Sequence, residues 1–190
     1  MAQTQKTRYA ILGALTVFPM SGYDIKKWIK DTTGGFWAES SGRVYPVLSE
    51  MLREKFVTCN LTQSVGKRCK KTYTITAKGK AVLKAWLAKP PQPPVSRDEL
   101  RLKLFYGKNL TKAQYLKHTL EQQKNMQQRL KHYLKLQAHI KTAHNDIPDS
   151  FYWLLTIKGA IYHTRAELAW CKDIHKIMAS KDPASLKKTS

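Results

Sequence analysis

The residues with most chemistry to offer stand together at Ser40, Ser41, Gly42, Arg43 and Tyr45, inside the stretch SSGRVYPVLSEMLREK. Hydroxyls and free backbone N–H groups at a helix start can meet phosphate oxygens, and an arginine fork can reach a guanine edge. A second group, Lys67, Arg68, Lys70 and Lys71, puts four cations in five residues, with Tyr73 two places further on. Such a cluster neutralises phosphates. Its bland reading is a solvated basic loop. Other chemistry has little to stand on. The chain has no glycine-rich phosphate loop, nucleophile elbow or cluster of carboxylates, so an enzyme is not expected. Cys171 and His175 are spaced i, i+4 on one helix face, but two ligands without a local third are a thin basis for a metal. The expectation is a solvated or buried pair, with no metal and no cofactor.

The charge agrees with this chemistry. The chain's 34 Lys+Arg oppose 13 Asp+Glu, a formal net charge of +21. Both halves share the excess. Such a field favours DNA, RNA or an anionic membrane surface. At 190 residues and 42% hydrophobic content, one or two domains can bury a sizeable core. Cys59, Cys69 and Cys171 are odd in number and scattered, which fits a reducing compartment rather than a disulfide framework. No stretch is long and apolar enough to span a bilayer, and the N-terminus lacks a convincing signal pattern. A soluble cytoplasmic protein is expected.

The elements that must position these residues follow from periodicity. In Ser40 to Lys55, Val44, Val47, Leu48, Met51 and Leu52 make one apolar helix face, and Ser41, Arg43, Tyr45, Ser49 and Arg53 fall largely off it. Ser40 or Ser41 can cap the start through its hydroxyl. Pro46, past the first helical position, is expected to distort that start. Alone, the stretch reads equally as a groove reader or an ordinary surface helix. Upstream, Thr7 to Val17 forms a helix on Ala10, Ile11, Ala14 and Leu15, ended by Pro19. Ser21, Gly22, Tyr23 and Asp24 open a second helix with a near capping box, continued by Ile25, Trp28 and Ile29 and broken at Gly34-Gly35. Downstream the period becomes two. Val57, Cys59 and Leu61 alternate with Thr58, Asn60 and Thr62, and Tyr73 and Ile75 alternate again after a loop containing Gly66. Three helices and a hairpin spell a winged helix-turn-helix over residues 1–89, with the basic loop as its wing. A fourth helix from Thr76 is expected to turn Val82, Leu83, Trp86 and Leu87 inward.

Residues 90–95 form a proline-rich linker. Beyond it, residues 96–180 are expected to be a helical dimerisation and effector domain, and 181–190 a disordered tail. Arg97 to Tyr106 makes a short helix stopped by Gly107. Thr111 with Gln114 caps a long one running to about Ala143, roughly 50 Å. Thr119, Gln123, Met126, Leu130, Tyr133, Gln137 and Ile140 repeat on it at spacings of four and three, a coiled-coil seam diluted by polar positions. The last helix, about Ser150 to Met178, is apolar on more than one face, and a homodimer would bury the surplus. The fold class is mainly α with a small β-hairpin.

The segments YAILGALTVFPMSGYDI, FWAESSGRVYPVLSEML and KTYTITAKGKAVLKAWL, in that order, resemble the PadR family of bacterial transcriptional regulators. Asp98 to Phe105 is similar to the first element of that family's larger C-terminal domain, and Tyr152 to Trp170 to its closing helix. The resemblance implies a homodimer that binds a pseudo-palindromic double-stranded DNA operator, usually as a repressor, and that often releases DNA on binding a small aromatic effector such as a phenolic acid. It carries DNA contacts onto Tyr23, Ser41, Tyr45 and the basic wing. Arg43 departs from the small or amide residue expected before the VYP triplet, which puts operator preference on that position. Trp28, Trp86, Trp153, Tyr162 and Trp170 are candidate walls of an effector pocket, although each taken singly reads more readily as a packing residue. The rival reading is a basic protein that binds RNA or non-specific DNA, or assembles partners, without effector control.

Overall fold

The computed structural model describes residues 2–33, 37, 39–63, 69–93, 97–143 and 147–180. They divide into two units, Met1–Pro93 and Pro94–Ser190. The expected break at Gly34-Gly35, the loop 64–68, the turn residues 144–146 and the tail 181–190 lie outside the described residues.

The first unit runs α1 (Ala2–Val17), α2 (Gly22–Thr32), α3 (Ser41–Arg53), β1 (Val57–Gln63), β2 (Cys69–Ile75) and α4 (Ala77–Leu87). α1 begins five residues before the expected Thr7, and Leu12 joins Ile11, Ala14 and Leu15 as its buried stripe while Ala10 is only half-buried. Ile25 and Ile29 of α2, Val44, Val47, Leu48 and Met51 of α3, and Phe56, Val57, Tyr73 and Leu83 close on that stripe. Each fully buried aliphatic side chain contributes about 1.5–3 kcal/mol, so this core holds the three helices in register.

Local chemistry sets the ends of these helices. The Ser21 hydroxyl accepts the Asp24 N–H at 3.2 Å and donates to the Asp24 carboxylate at 2.8 Å. Thr76 caps α4 by accepting the Gly79 N–H. Ser40 occupies the N-cap position of α3, but its hydroxyl makes no capping bond. α3 is helical from Ser41 to Arg53, with Pro46 inside it. At the other end Phe56 N–H bonds Met51 O at 2.9 Å and Lys55 N–H bonds Leu52 O at 3.1 Å, with Lys55 left-handed at φ 60. This is a Schellman turn, and its hydrophobic partners Phe56 and Met51 both enter the core.

The hairpin pairs Val57 with Ile75 through Gln63 with Cys69. Burial falls along it: Val57 is buried, Cys59 half-buried and Leu61 68% exposed. The strand therefore leaves the core as it approaches the tip. Met20 and Tyr73 exchange two backbone hydrogen bonds, so the loop after α1 lies along β2 as a one-residue bridge. α4 meets the core through Gly79 and Leu83, one turn apart. Val82 is half-buried, Leu87 is exposed, and Trp86 stacks on Tyr9 with centroids 4.4 Å apart. The expected inward face is thus narrower, because the close backbone approach at Gly79 sets which side of α4 docks.

The second unit contains α5 (Glu99–Phe105), a 3₁₀ turn (Gly107–Asn109), α6 (Lys112–Ala143) and α7 (Ser150–Ser180). α6 and α7 pack as a long helical hairpin. The capping box forms as expected, with Thr111 N–H on Gln114 Oε1 at 2.9 Å and Gln114 N–H on Thr111 Oγ1 at 3.2 Å. Thr119, Met126, Tyr133 and Ile140 of the expected seam are buried, and Gln123, Leu130 and Gln137 half-buried between them. α7 answers with Ile157, Ile161, Thr164, Leu168 and Cys171. His175 continues that seam, its Nε2 2.8 Å from Thr119 Oγ1. Burial pushes the Cys171 thiol pKa up, and Glu167 adds to it. Among the described residues no group of three or more His, Cys, Asp or Glu could hold a metal ion.

Candidate nucleic-acid interface

α3 offers its first turn to solvent because its apolar positions all lie on the opposite side. Ser40, Ser41, Gly42 and Tyr45 are exposed, and Arg43 is half-exposed. Tyr23, at the start of α2, is 66% exposed. Tyr45 leans over the start of α2: a Cβ added at Gly22 would come within 2.6 Å of its ring. Lys26 of α2 donates from Nζ to Ser41 Oγ at 2.9 Å, across the two helices. The arrangement is a surface of hydroxyls, one phenol on each helix, and two cations, backed by a rigid core. Chemically it can donate hydrogen bonds to phosphate and offer a guanidinium to a base edge.

Arg43 stands over a carboxylate. Its Nη1 lies 3.9 Å from Glu39 Oε2, whose side chain is 1% exposed. Glu39 also accepts from Thr7 Oγ1 at 3.0 Å and Trp37 Nε1 at 2.8 Å. No sequence signal marked Glu39 beyond its place just before the N-cap.

The wing is described on its strands. Lys67 and Arg68, at its tip, lie outside the described residues. Lys71 is exposed. Lys70 places Nζ 2.8 Å from Asp24 Oδ2, so this cation faces the first turn of α2. Lys70 is the first cause holding the Asp24 pKa below the ordinary carboxylate value, with Ser21 the second. Tyr73 corrects the expectation of a surface contact: it is 6% exposed in the core, and burial raises its pKa. The alternation that names Tyr73 and Ile75 as one face is sound, but docking turns that face inward.

The aromatic candidates for an effector site have separate surroundings within their units. Trp28 is half-buried, edge-on to Phe18 at 5.0 Å, and Trp86 is stacked on Tyr9. In the second unit Trp153 packs on the α6–α7 core, and Trp170 lies under the Arg101 guanidinium at 5.1 Å. Tyr162 is exposed and lines a groove of about 480 Å³ between α6 and α7, with Lys141, Lys158 and Arg165 supplying positive charge and Phe151 and Leu155 apolar wall. Among the described residues no helix is long and apolar enough to cross a membrane.

Comparison with known proteins places this geometry. Residues 11–85 match the model of the transcriptional regulator PadR-like family, and residues 96–179 that of the virulence activator alpha C-terminal family. The negative transcriptional regulator PadR of Bacillus subtilis is 31% identical over 172 residues, 88% of this chain and 94% of its own length. A crystal structure of B. subtilis PadR in complex with operator DNA gives a TM-score of 0.79 at 29% identity, covering 90% of this chain and 98% of that one. Another, of B. subtilis PadR with p-coumaric acid, gives 0.74 at 25% identity over 93% and 97%. With a winged helix-turn-helix ahead of a long helical hairpin and a relative of this identity spanning most of the chain, the protein belongs to the PadR family of DNA-binding transcriptional regulators.

Proposed function

We propose that the protein is a homodimeric repressor that binds a pseudo-palindromic operator through α3 and the wing and leaves it on binding a small aromatic acid. The observation that carries the reading is the exposed first turn of α3, where Ser40, Ser41 and Tyr45 stand clear of the core beside Arg43. Tyr23, Lys26 and Lys71 extend that surface toward the phosphate backbone, and Lys67 and Arg68 add two cations to the sequence of the wing. Arg43 reads a base edge. Lys70 serves first as a strut to Asp24. Two recognition helices in a dimer stand about one DNA turn apart, roughly 34–36 Å, so the operator mirrors the protein's two-fold symmetry. The exposed Phe151, Tyr152, Leu155 and Tyr162 of α7 favour association of two chains.

The effector reading is supported by the p-coumaric acid complex of the B. subtilis relative. An aromatic acid that binds the DNA-free form better than the bound form would shift the population off the operator. The test is a titration of the full-length protein on its own upstream duplex and on a shuffled one, with and without phenolic acids. A preference of about 10³ or more for one palindromic duplex is expected. Equal affinity for that duplex, random DNA and RNA would sink the regulator reading. Loss of preference in the presence of a phenolic acid supports effector control, and no release by any of the panel removes it.

A further inference from the structure

The geometry points to Glu39 as a specificity-determining positioning residue that acts through Arg43. A carboxylate this deeply buried is costly unless it is paired and hydrogen-bonded. Each of its oxygens has a fixed neutral donor: Trp37 Nε1 on Oε1 at 2.8 Å and Thr7 Oγ1 on Oε2 at 3.0 Å. Both donors come from outside α3, one from α1 and one from the segment leading into the helix. The carboxylate is therefore held by the frame of the unit, and its one ion-pair partner among the described residues is Arg43. The guanidinium, with its side chain 42% exposed, sits at the boundary between that buried charge and the surface offered to DNA.

This placement does two things. It draws an otherwise loose arginine toward one side at the foot of the recognition helix by charge attraction at 3.9 Å, without a hydrogen bond, which lowers the ordering cost of presenting its fork to one base edge. It also sets a fixed negative charge behind the guanidinium, which makes Arg43 a weaker general phosphate anchor than an unpaired arginine. Glu39 thus exchanges indiscriminate affinity for selectivity. The inference rests on the proposed reading that Arg43 contacts a base.

The experiment measures binding of the full-length protein to its operator, to operators changed at single base pairs, and to random duplex, over a range of salt. Glu39→Gln removes the charge and keeps the shape. It is expected to lower the preference for the operator about tenfold, within the range of one base contact, and to strengthen random-duplex binding. The log–log salt slope on random DNA should steepen by about 0.9 as the released arginine takes a phosphate. A residue that only held the fold would weaken both kinds of binding together. In an Arg43→Ala background, Glu39→Gln should change nothing further. Thr7→Val, which withdraws the hydroxyl from the oxygen facing Arg43 but keeps the charge, is the second variant should Glu39→Gln not fold, and it should also lower operator preference. An unchanged preference in these variants, with Arg43→Ala losing it, overturns the role of Glu39 and leaves the Arg43 reading standing. An Arg43→Ala variant that keeps its base preference overturns both.

Discussion

Lys70 of β2 and Asp24 of α2 are joined by a 2.8 Å ion pair, which ties the stem of the wing to the first turn of the helix that braces the recognition helix. Asp24 also lies near the positive end of the α2 dipole, which favours its ionised form. Its folded-state pKa is depressed, chiefly by Lys70 and then by Ser21. The sign follows directly: the stabilisation is present above the unfolded value of about 3.9 and is lost as pH falls through the depressed value. The Asp24 side chain is 38% exposed, so solvent screening holds the effect to under about 1 kcal/mol. Thermal unfolding of Asp24→Asn should show a lower midpoint than the parent at pH 7, with the gap closing as pH is taken below about 4. A gap that persists at low pH would mean the pair contributes nothing through charge.

The same pair separates two neighbouring lysines. Lys71 is exposed and Lys70 is engaged. Lys71→Ala should flatten the log–log salt dependence of DNA binding by about 0.9, the value for one phosphate contact. Lys70→Ala should flatten it less. Equal losses in the two variants would show that Lys70 leaves Asp24 for phosphate when DNA arrives.

Gly22 tests Tyr45 without a substitution in the recognition helix itself. A Cβ at Gly22 would press on the Tyr45 ring, which is half-exposed and free to swing outward. Gly22→Ala should leave stability within about 1 kcal/mol, since flexible surface neighbours can give way, yet weaken operator binding several-fold. Urea unfolding paired with an operator titration distinguishes the two. By contrast, a Cβ at Gly79 would meet the backbone carbonyl of Phe56, which cannot move aside. Gly79→Ala should destabilise the unit by about 1–3 kcal/mol or more, as overpacking does.

In the helical hairpin, Gln123 Oε1 is buried without a hydrogen-bond partner among the described residues. An unsatisfied buried acceptor costs about 1–3 kcal/mol, and an apolar side chain of similar size removes that cost. Gln123→Leu should therefore raise the unfolding midpoint of the second unit. A lower midpoint would place a partner on that oxygen in the assembled protein.

Local chemistry was readable from the chain alone. Ser21 with Asp24 and Thr111 with Gln114 announce helix starts because their partners lie three residues away, and the seam from Thr119 to Ile140 announces itself by spacing. The winged head was readable for the same reason, as three helical periods followed by an alternating one. Relations between elements were not. Nothing near Lys70 in sequence names Asp24 as its partner, and nothing near Arg43 tells that Glu39 is buried under Thr7 and Trp37. Tyr73 lies inward and Leu87 outward, against the periodic reading, because alternation and helical period define faces while docking decides which face is inside. Gly79 decides it for α4, through a contact with Phe56 that no periodicity contains.

The Met20–Tyr73 bridge has a bearing on how the protein behaves in a crowded solution. A two-stranded sheet has free edges, and an apolar edge invites a second chain to add a strand. Met20 satisfies the outward backbone groups of β2 at its most buried residue, where the strand is apolar. The next outward position toward the tip is Lys71, whose charge repels an approaching strand from a like molecule. The cations that suit the wing to a polyanion thus also discourage strand addition between copies, so neutralising the wing should cost colloidal stability as well as affinity for nucleic acid.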